Sequence, residues 1–261
     1  MRAILMLATL TACGRPPEAP QELDELSHYL YREWDSEDPR VMQAGVENLA
    51  AFLRKQDLSF ETSVMDRSWE ISSIEAADVK GVNHPSGRNL SDTIAVGVAA
   101  ESAFSIDDHA TVQTRTDQLP VEPSAVFYER SFPDEDEPRC FHDAECEVLG
   151  TVNDVERKNL LMAVEFLLYK NIRWVELDSG ERAMVSRSWL EESAEGANGK
   201  TTIWQSFSLD TWLSDGKRTL RYQVLWSEAD VAGASDAIQL GTVKSATDDA
   251  FKAADAFLGG E

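Results

Sequence analysis

Seven residues, Cys140-Phe141-His142-Asp143-Ala144-Glu145-Cys146, bring together two thiols, an imidazole and two carboxylates, the side chains that bind transition metals. Zinc would take both thiolates, His142 and one further group. No second Cys or His cluster stands nearby, and a loop this short rarely closes a tetrahedron around an ion. The competing reading is a disulfide between Cys140 and Cys146. Asp107-Asp108-His109 sets carboxylates beside an imidazole, and on a strand Asp107 and His109 share a face and can trade a proton. There is no Gly-x-Ser-x-Gly elbow to provide a nucleophile, so the segment reads as a hydrated turn and no catalytic residue is assigned. Asp134 to Glu137 is acidic but lacks the spacing of a calcium loop, and reads as solvated charge. His28 and His84 read as a helix-surface and a loop residue. No metal and no cofactor are expected.

The remaining cysteine, Cys13, has a different setting. Arg2 precedes an apolar run from Ala3 to Leu10, and the small residues Thr11 and Ala12 lead to the thiol. The run is about eight residues, far short of the roughly 20 that a helix needs to cross a bilayer, so residues 1–12 read as a cleaved secretory signal. Leu10-Thr11-Ala12-Cys13 resembles the lipobox of bacterial lipoproteins. That resemblance covers the signal alone and implies that Cys13 receives diacylglycerol, becomes the new N-terminus and anchors the protein by acyl chains. It also implies a place in the bacterial cell envelope, on its periplasmic or extracellular face. Gly14 is not the aspartate that retains some such proteins at the inner membrane, so in a two-membrane cell the outer membrane is favoured. Residues 13–20, with Pro16, Pro17 and Pro20, read as a semi-rigid tether, because proline fixes φ and removes a backbone donor.

Export decides the cysteine question. An oxidising compartment favours Cys140–Cys146 as a disulfide, which closes a short loop and is worth about 2 kcal/mol by chain entropy. With 24 Lys and Arg against 47 Asp and Glu, the chain carries a net charge of −23. Such a field repels phosphate backbones, so no nucleic acid partner is expected. Residues 21–261 read as one acidic domain, large enough for a well-buried core.

The expected elements are those of an α+β fold. Leu23, Leu26 and Leu30 recur at helical spacing, and Asp38-Pro39 opens a second helix over Met42, Val46, Leu49 and Leu53. Phe60 to Ile74 reads as one or two strands, Ile94 to Val98 as another, His109 to Thr116 as its neighbour, and Ala125 to Phe132 as a further one. Thr151 to Lys170 reads as a central helix capped by Asn153 or Asp154, with Leu161, Val164 and Leu168 on one stripe widened by Leu160 and Leu167. Ile172–177, Arg182–190, Thr201–209 and Arg218–226 then form a four-stranded antiparallel meander, its turns marked by Asp178-Ser179-Gly180, Gly196–Gly199 and Asp215-Gly216. One face of the meander should be dry and the other wet. A C-terminal helix over Ser245 to Leu258, beginning near Ser235, lies across it with Ala250, Ala254 and Phe257.

A meander followed by a long helix resembles, in topology alone, the helix-grip architecture of START-like lipid-binding proteins, which implies a helix closing a cavity over the sheet. The sequence therefore supports a non-catalytic envelope lipoprotein, an interaction or binding module held on the membrane, as the first reading. An apolar-ligand carrier is the second, and an exported hydrolase a distant third. An envelope protein or an apolar ligand is the expected partner. Trp189, Trp204 and Trp212, if exposed together, would point to a sugar platform instead. Cys13→Ser should move the protein from the membrane pellet to the soluble fraction, and retention in the pellet after a high-salt wash would refute the lipid anchor.

Overall fold

The computed structural model describes residues 18–158, 163–197 and 199–260. The signal, Cys13 and most of the tether lie outside the described residues, as do Leu160 and Leu161. The tether ends earlier than residue 20: Ala19 is buried, and the Asn48 side chain donates to the carbonyls of Ala19 and Pro20 at 3.0 and 2.8 Å.

Two helices come first. α1 (Leu23–Arg32) buries Leu23, Leu26 and Leu30, and α2 (Pro39–Leu53) buries Met42, Val46, Leu49 and Leu53. The Asp38 carboxylate caps α2 by accepting from the Arg40 amide at 3.1 Å. The chain continues through β1 (Ser68–Ile71), β2 (Ile94–Ser102), α3 (Ile106–Gln113), β3 (Ala125–Ser131), α4 (Glu137–His142), β4 (Val148–Lys158), β5 (Ala163–Glu176), β6 (Arg182–Trp189), β7 (Ala194–Glu195), β8 (Thr201–Asp215), β9 (Arg218–Val231) and α5 (Asp236–Gly259). The strands make one antiparallel sheet in the order β1-β2-β9-β8-β6-β5-β4-β3, with β7 paired to β8. The chain is an α+β protein, and β5, β6, β8 and β9 are the expected meander. Gly216, at φ +69°, makes the β8–β9 turn that a side chain would strain.

Register assigns each residue to a face. Ala95↔Trp226, Val224↔Leu209 and Trp189↔Phe207 lie on the side covered by α1 and α2, where the larger core forms. The other side carries Val96↔Leu225, Ser208↔Leu225 and Lys170↔Ser188. At one end of that second side, α3 and α4 bury Ile106, Ala110 and Phe141 against Leu149, Ile172, Trp174, Met184 and Trp212. Cys140 and Cys146 form a disulfide, and Phe141 stacks on Trp174 with ring centres 5.3 Å apart. Both faces are therefore covered, and the expected wet face is wrong: α3, α4 and α5 occupy it.

Two expected elements are corrected and a third is shortened. Thr151 to Lys170 is not a helix but most of β4 and β5, paired from Val148↔Arg173 to Lys158↔Ala163. The spacing of its leucines suits a helix, yet burial alternates with period two over Leu149, Thr151, Asn153 and Val155, while Leu167 is 51% exposed. Asn153, expected as a cap, is fully buried and donates to the Leu168 carbonyl at 2.8 Å. His109 to Thr116 lies largely in α3, not in a strand. Ser105 and Asp108 form a reciprocal capping box there, with Ser105 N donating to Asp108 Oδ2 at 2.9 Å. Of Phe60 to Ile74, only Ser68–Ile71 is strand.

One contact between the sheet and α1 is especially close. Tyr222 crosses over Gly97 to place its hydroxyl 2.8 Å from Ser27 Oγ, and a Cβ at Gly97 would sit 2.5 Å from that hydroxyl and 2.8 to 2.9 Å from ring carbons. Tyr222 and Ser27 are both buried, so the ring has no free direction to retreat. Gly97→Ala should cost about 1–3 kcal/mol by overpacking, read as a lower urea midpoint at unchanged slope.

Candidate functional site

The C-terminal helix sits on the second face of the sheet in two unlike halves. Its C-terminal half is clamped from beneath by Arg67 and Arg221, each only 1% exposed. Arg67 donates to Asp248 Oδ1 at 2.7 Å and to the Ala99 carbonyl at 2.7 Å. Arg221 pairs with Asp255 at 2.9 Å and donates to the Phe251 carbonyl at 2.9 Å. Asp255 also accepts from Ser102 at 2.8 Å. Burial pulls the Arg221 pKa down to about 10, still charged at neutral pH. The Phe60 ring lies against both guanidinium groups, 5.4 and 5.6 Å from its centre.

The N-terminal half has no such clamp. It presents Ile238, Leu240, Val243 and Ala246 to the sheet across a cavity of about 250 Å³ that runs along the helix as far as Ala250. The opposite wall is apolar, with Ile94, Val96, Val155, Phe166, Leu168 and Leu225. Ser124, Ile238, Thr242 and Ala246 also line an adjoining surface groove of about 490 Å³. Ile238 is 51% exposed there. A cavity lined this way excludes water from a hydrocarbon group and stabilises it by roughly 25 cal/mol per Å² of apolar surface covered.

Four charged side chains line the cavity: Glu122, Arg157, Lys170 and Asp210. Asp210 is fully served, by Lys170 at 2.9 Å, Ser186 at 2.9 Å and Gln223 at 2.5 Å. Ser188 and Ser208 share a hydrogen bond of 2.7 Å beside it. Arg157 and Glu122 are only loosely paired, at 3.9 Å. Burial pushes the Glu122 carboxyl up from its ordinary pKa, against the pull of Arg157 and Lys170. The cavity is thus a mainly apolar chamber with a small set of polar groups. None of its residues was singled out from sequence as a site. The available signal was the row of Ser206, Ser208 and Asp210 facing Gln223 and Ser227, on the side of the meander expected to be wet.

Similar shapes occur among solved structures. The STAR-related lipid transfer protein from Xanthomonas axonopodis is 12% identical, with 64% of this chain and 86% of that chain covered at a TM-score of 0.45. A START superfamily protein from Mycobacterium smegmatis is 10% identical, with 63% and 97% covered at 0.42. The human StarD13 lipid transfer and protein localization domain is 10% identical, with 80% and 93% covered at 0.40. No family model and no curated protein matches the chain. Likenesses at these scores transfer neither ligand nor activity, and the cavity has to be read from its own residues.

The other sequence candidates separate. Asp107 and His109 lie two residues apart on α3, and therefore on nearly opposite sides of a helix. Asp107 pairs with Arg182 at 2.8 Å, whereas His109 is buried with Nε2 3.0 Å from Ser102 Oγ. Burial, with Arg221 nearby, drives the His109 pKa down to about 3, so it stays neutral. Trp189 and Trp212 are each 8% exposed and on opposite faces, and Trp204 stacks under Arg88 at 4.5 Å, so no sugar platform forms. Among the described residues no group of three or more His, Cys, Asp or Glu is placed to hold a metal, and no helix is long and apolar enough to cross a membrane.

One constellation escaped the sequence because its members are far apart in the chain. His28, read as a surface residue, is buried, with Nδ1 2.7 Å from Asp78 Oδ2 and Nε2 3.0 Å from Ser72 Oγ. Those distances are those of a Ser-His-Asp triad, but the Ser72 hydroxyl donates to Asp24 at 2.9 Å, as does its amide at 2.7 Å. With His28 protonated, every donor in the chain Asp78, His28, Ser72, Asp24 has an acceptor. This is a staple from α1 to the end of β1, not an activated serine.

Burial lowers the His28 pKa, but the Asp78 hydrogen bond and the charges of Asp78, Asp24 and Glu75 together raise it above 6.5; Arg32, 3.1 Å from Asp78, also faces the cluster. Its contribution is therefore fully present below about pH 6.5 and lost as pH rises through the folded value. Unfolding free energy should fall across that window on the alkaline side, and His28→Asn should flatten the fall. A slope identical in the two proteins would count against the staple.

Proposed function

We propose that this chain is a carrier for a small amphipathic molecule, which it encloses between the sheet and the N-terminal half of α5. The single observation that supports this is the cavity of about 250 Å³, walled by apolar strand residues and floored by hydrogen-bonding ones. A protein that works only by its surface has a filled core, because an empty apolar chamber forfeits dispersion contacts and costs stability. An occupant recovers that loss. The small α5 residues Ala246 and Ala250 are what leave the chamber open.

In this reading Cys13 carries the lipid and holds the carrier at a membrane of the cell envelope, on a short proline-rich tether. The carrier performs no bond-breaking step; its residues cover apolar surface and meet one polar end.

The test is a neutral naphthylamine fluorophore titrated into the full chain bearing Cys13→Ser. Fluorescence should rise and saturate at one probe per chain. Ala246→Trp should fill the chamber and weaken binding by about tenfold or more, with the thermal midpoint kept within a few degrees. Undiminished binding to a folded Ala246→Trp protein would place the probe elsewhere and remove the cavity as the site.

A further inference from the structure

Four charges face the cavity, and they are unequally employed. Asp210 is satisfied by Lys170, Ser186 and Gln223. Arg157 is not satisfied: its Nε is enclosed with no hydrogen-bond partner, and its nearest carboxylate oxygen, on Glu122, is 3.9 Å from Nη2, beyond hydrogen-bond length. The guanidinium carbon lies over the Phe166 ring, 5.8 Å from its centre, at an apolar wall of the chamber. An enclosed Nε left unpaired at a cavity wall, on a side chain 33% exposed, offers a planar anion a charge-assisted hydrogen bond.

Resting on the carrier reading, we infer that the ligand carries a carboxylate head on an apolar tail, and that this head takes the position beside Arg157 that Glu122 now half fills. Glu122 acts as the internal placeholder. The environment disfavours its charge, so an incoming carboxylate that brings two oxygens to Arg157 replaces a poor partner with a better one. Charge balance points the same way. Outside, the protein carries a net charge of −23 and repels anions, whereas Arg157 and Lys170 match Glu122 and Asp210 within the cavity. Once Glu122 is neutral or displaced, the chamber is left with one unpaired positive charge. The volume sets the tail: at about 30 Å³ for a water-sized group, about 250 Å³ holds about eight carbon-sized groups, and a longer chain would run on into the adjoining groove.

Calorimetry on the full chain bearing Cys13→Ser tests this with three ten-carbon probes that differ only at the head: decanoate, decan-1-ol and decylammonium. Decanoate should bind about tenfold to a hundredfold more tightly than the alcohol, with the ammonium weakest. Glu122→Gln should tighten decanoate further, and Arg157→Gln should erase the preference between heads. The head series on the unsubstituted cavity needs neither variant to fold. Equal or tighter binding of decanol or decylammonium would overturn the carboxylate and leave the carrier standing. Failure of all three probes to bind would overturn the carrier reading and this inference with it.

Discussion

Everything about the cavity depends on how α5 is held, and it is held by two buried arginines. Over the chamber, α5 turns Ile238, Leu240, Val243 and Ala246 towards a hollow and not against packed side chains, so little there indexes it on the strands. Hydrophobic packing alone would let it slide or rotate at small cost. Arg67 to Asp248 and Arg221 to Asp255 fix register instead, two opposite-charge pairs joined by Ser102 and by the half-exposed Lys252. Burying four charges is not a cheap way to gain stability, because desolvation consumes most of the attraction. What such a cluster contributes is position, and it places the unclamped half of the helix over the strands at a distance that leaves a chamber.

The same economy of position appears at the other end of that sheet face. Phe141 and Trp174 fill the space that α5 does not reach, and the Cys140–Cys146 disulfide keeps the short helix α4 from fraying there. Trp174 Nε1 donates to the Phe141 carbonyl at 2.9 Å, so the filled end is fixed by a hydrogen bond as well as by contact. One end of the face is packed and locked. The other is left hollow, between residues too small to fill it.

How much of this could be read from the sequence depended on whether a signal was local. The two N-terminal helices, the four-strand meander and its turns, the C-terminal helix and the cysteine pair all carry short-range signatures, and the structure has them. Thr151 to Lys170 misled because leucines at helical spacing sat within strands that are partly buried on both faces, where alternation between apolar and polar residues is weak. The capping box at Ser105 and Asp108 was present in the sequence and would have placed α3 correctly. The cavity and the His28 staple had no local signature at all. Arg157 and Glu122 are brought together by strand pairing, and His28 meets Asp78 and Ser72 only after α1 docks on the end of β1. A long helix laid across an antiparallel meander was legible as an outline, but which face was hollow was not, because that depends on the sizes of residues contributed by α5 and seven separate strands.

The tether constrains what an anchored carrier can do. Asn48 holds Ala19 and Pro20 against α2, so five residues, 14–18, separate the lipid proposed at Cys13 from the first of these contacts. At about 3 Å per residue that is a reach of about 15 Å, too short for the body to shuttle between two membranes. The chain enters on the α1–α2 side of the sheet, while the chamber and its groove lie on the α5 side, so an anchor at Cys13, as proposed, would pull on the layer that does not roof the chamber. In the proposed carrier, a ligand would enter or leave past Ile238 and Ala246, away from both the Asn48 contacts and the arginine clamp. So placed, the proposed anchor and chamber would suit receiving and handing over a ligand at one membrane face better than transport across a gap.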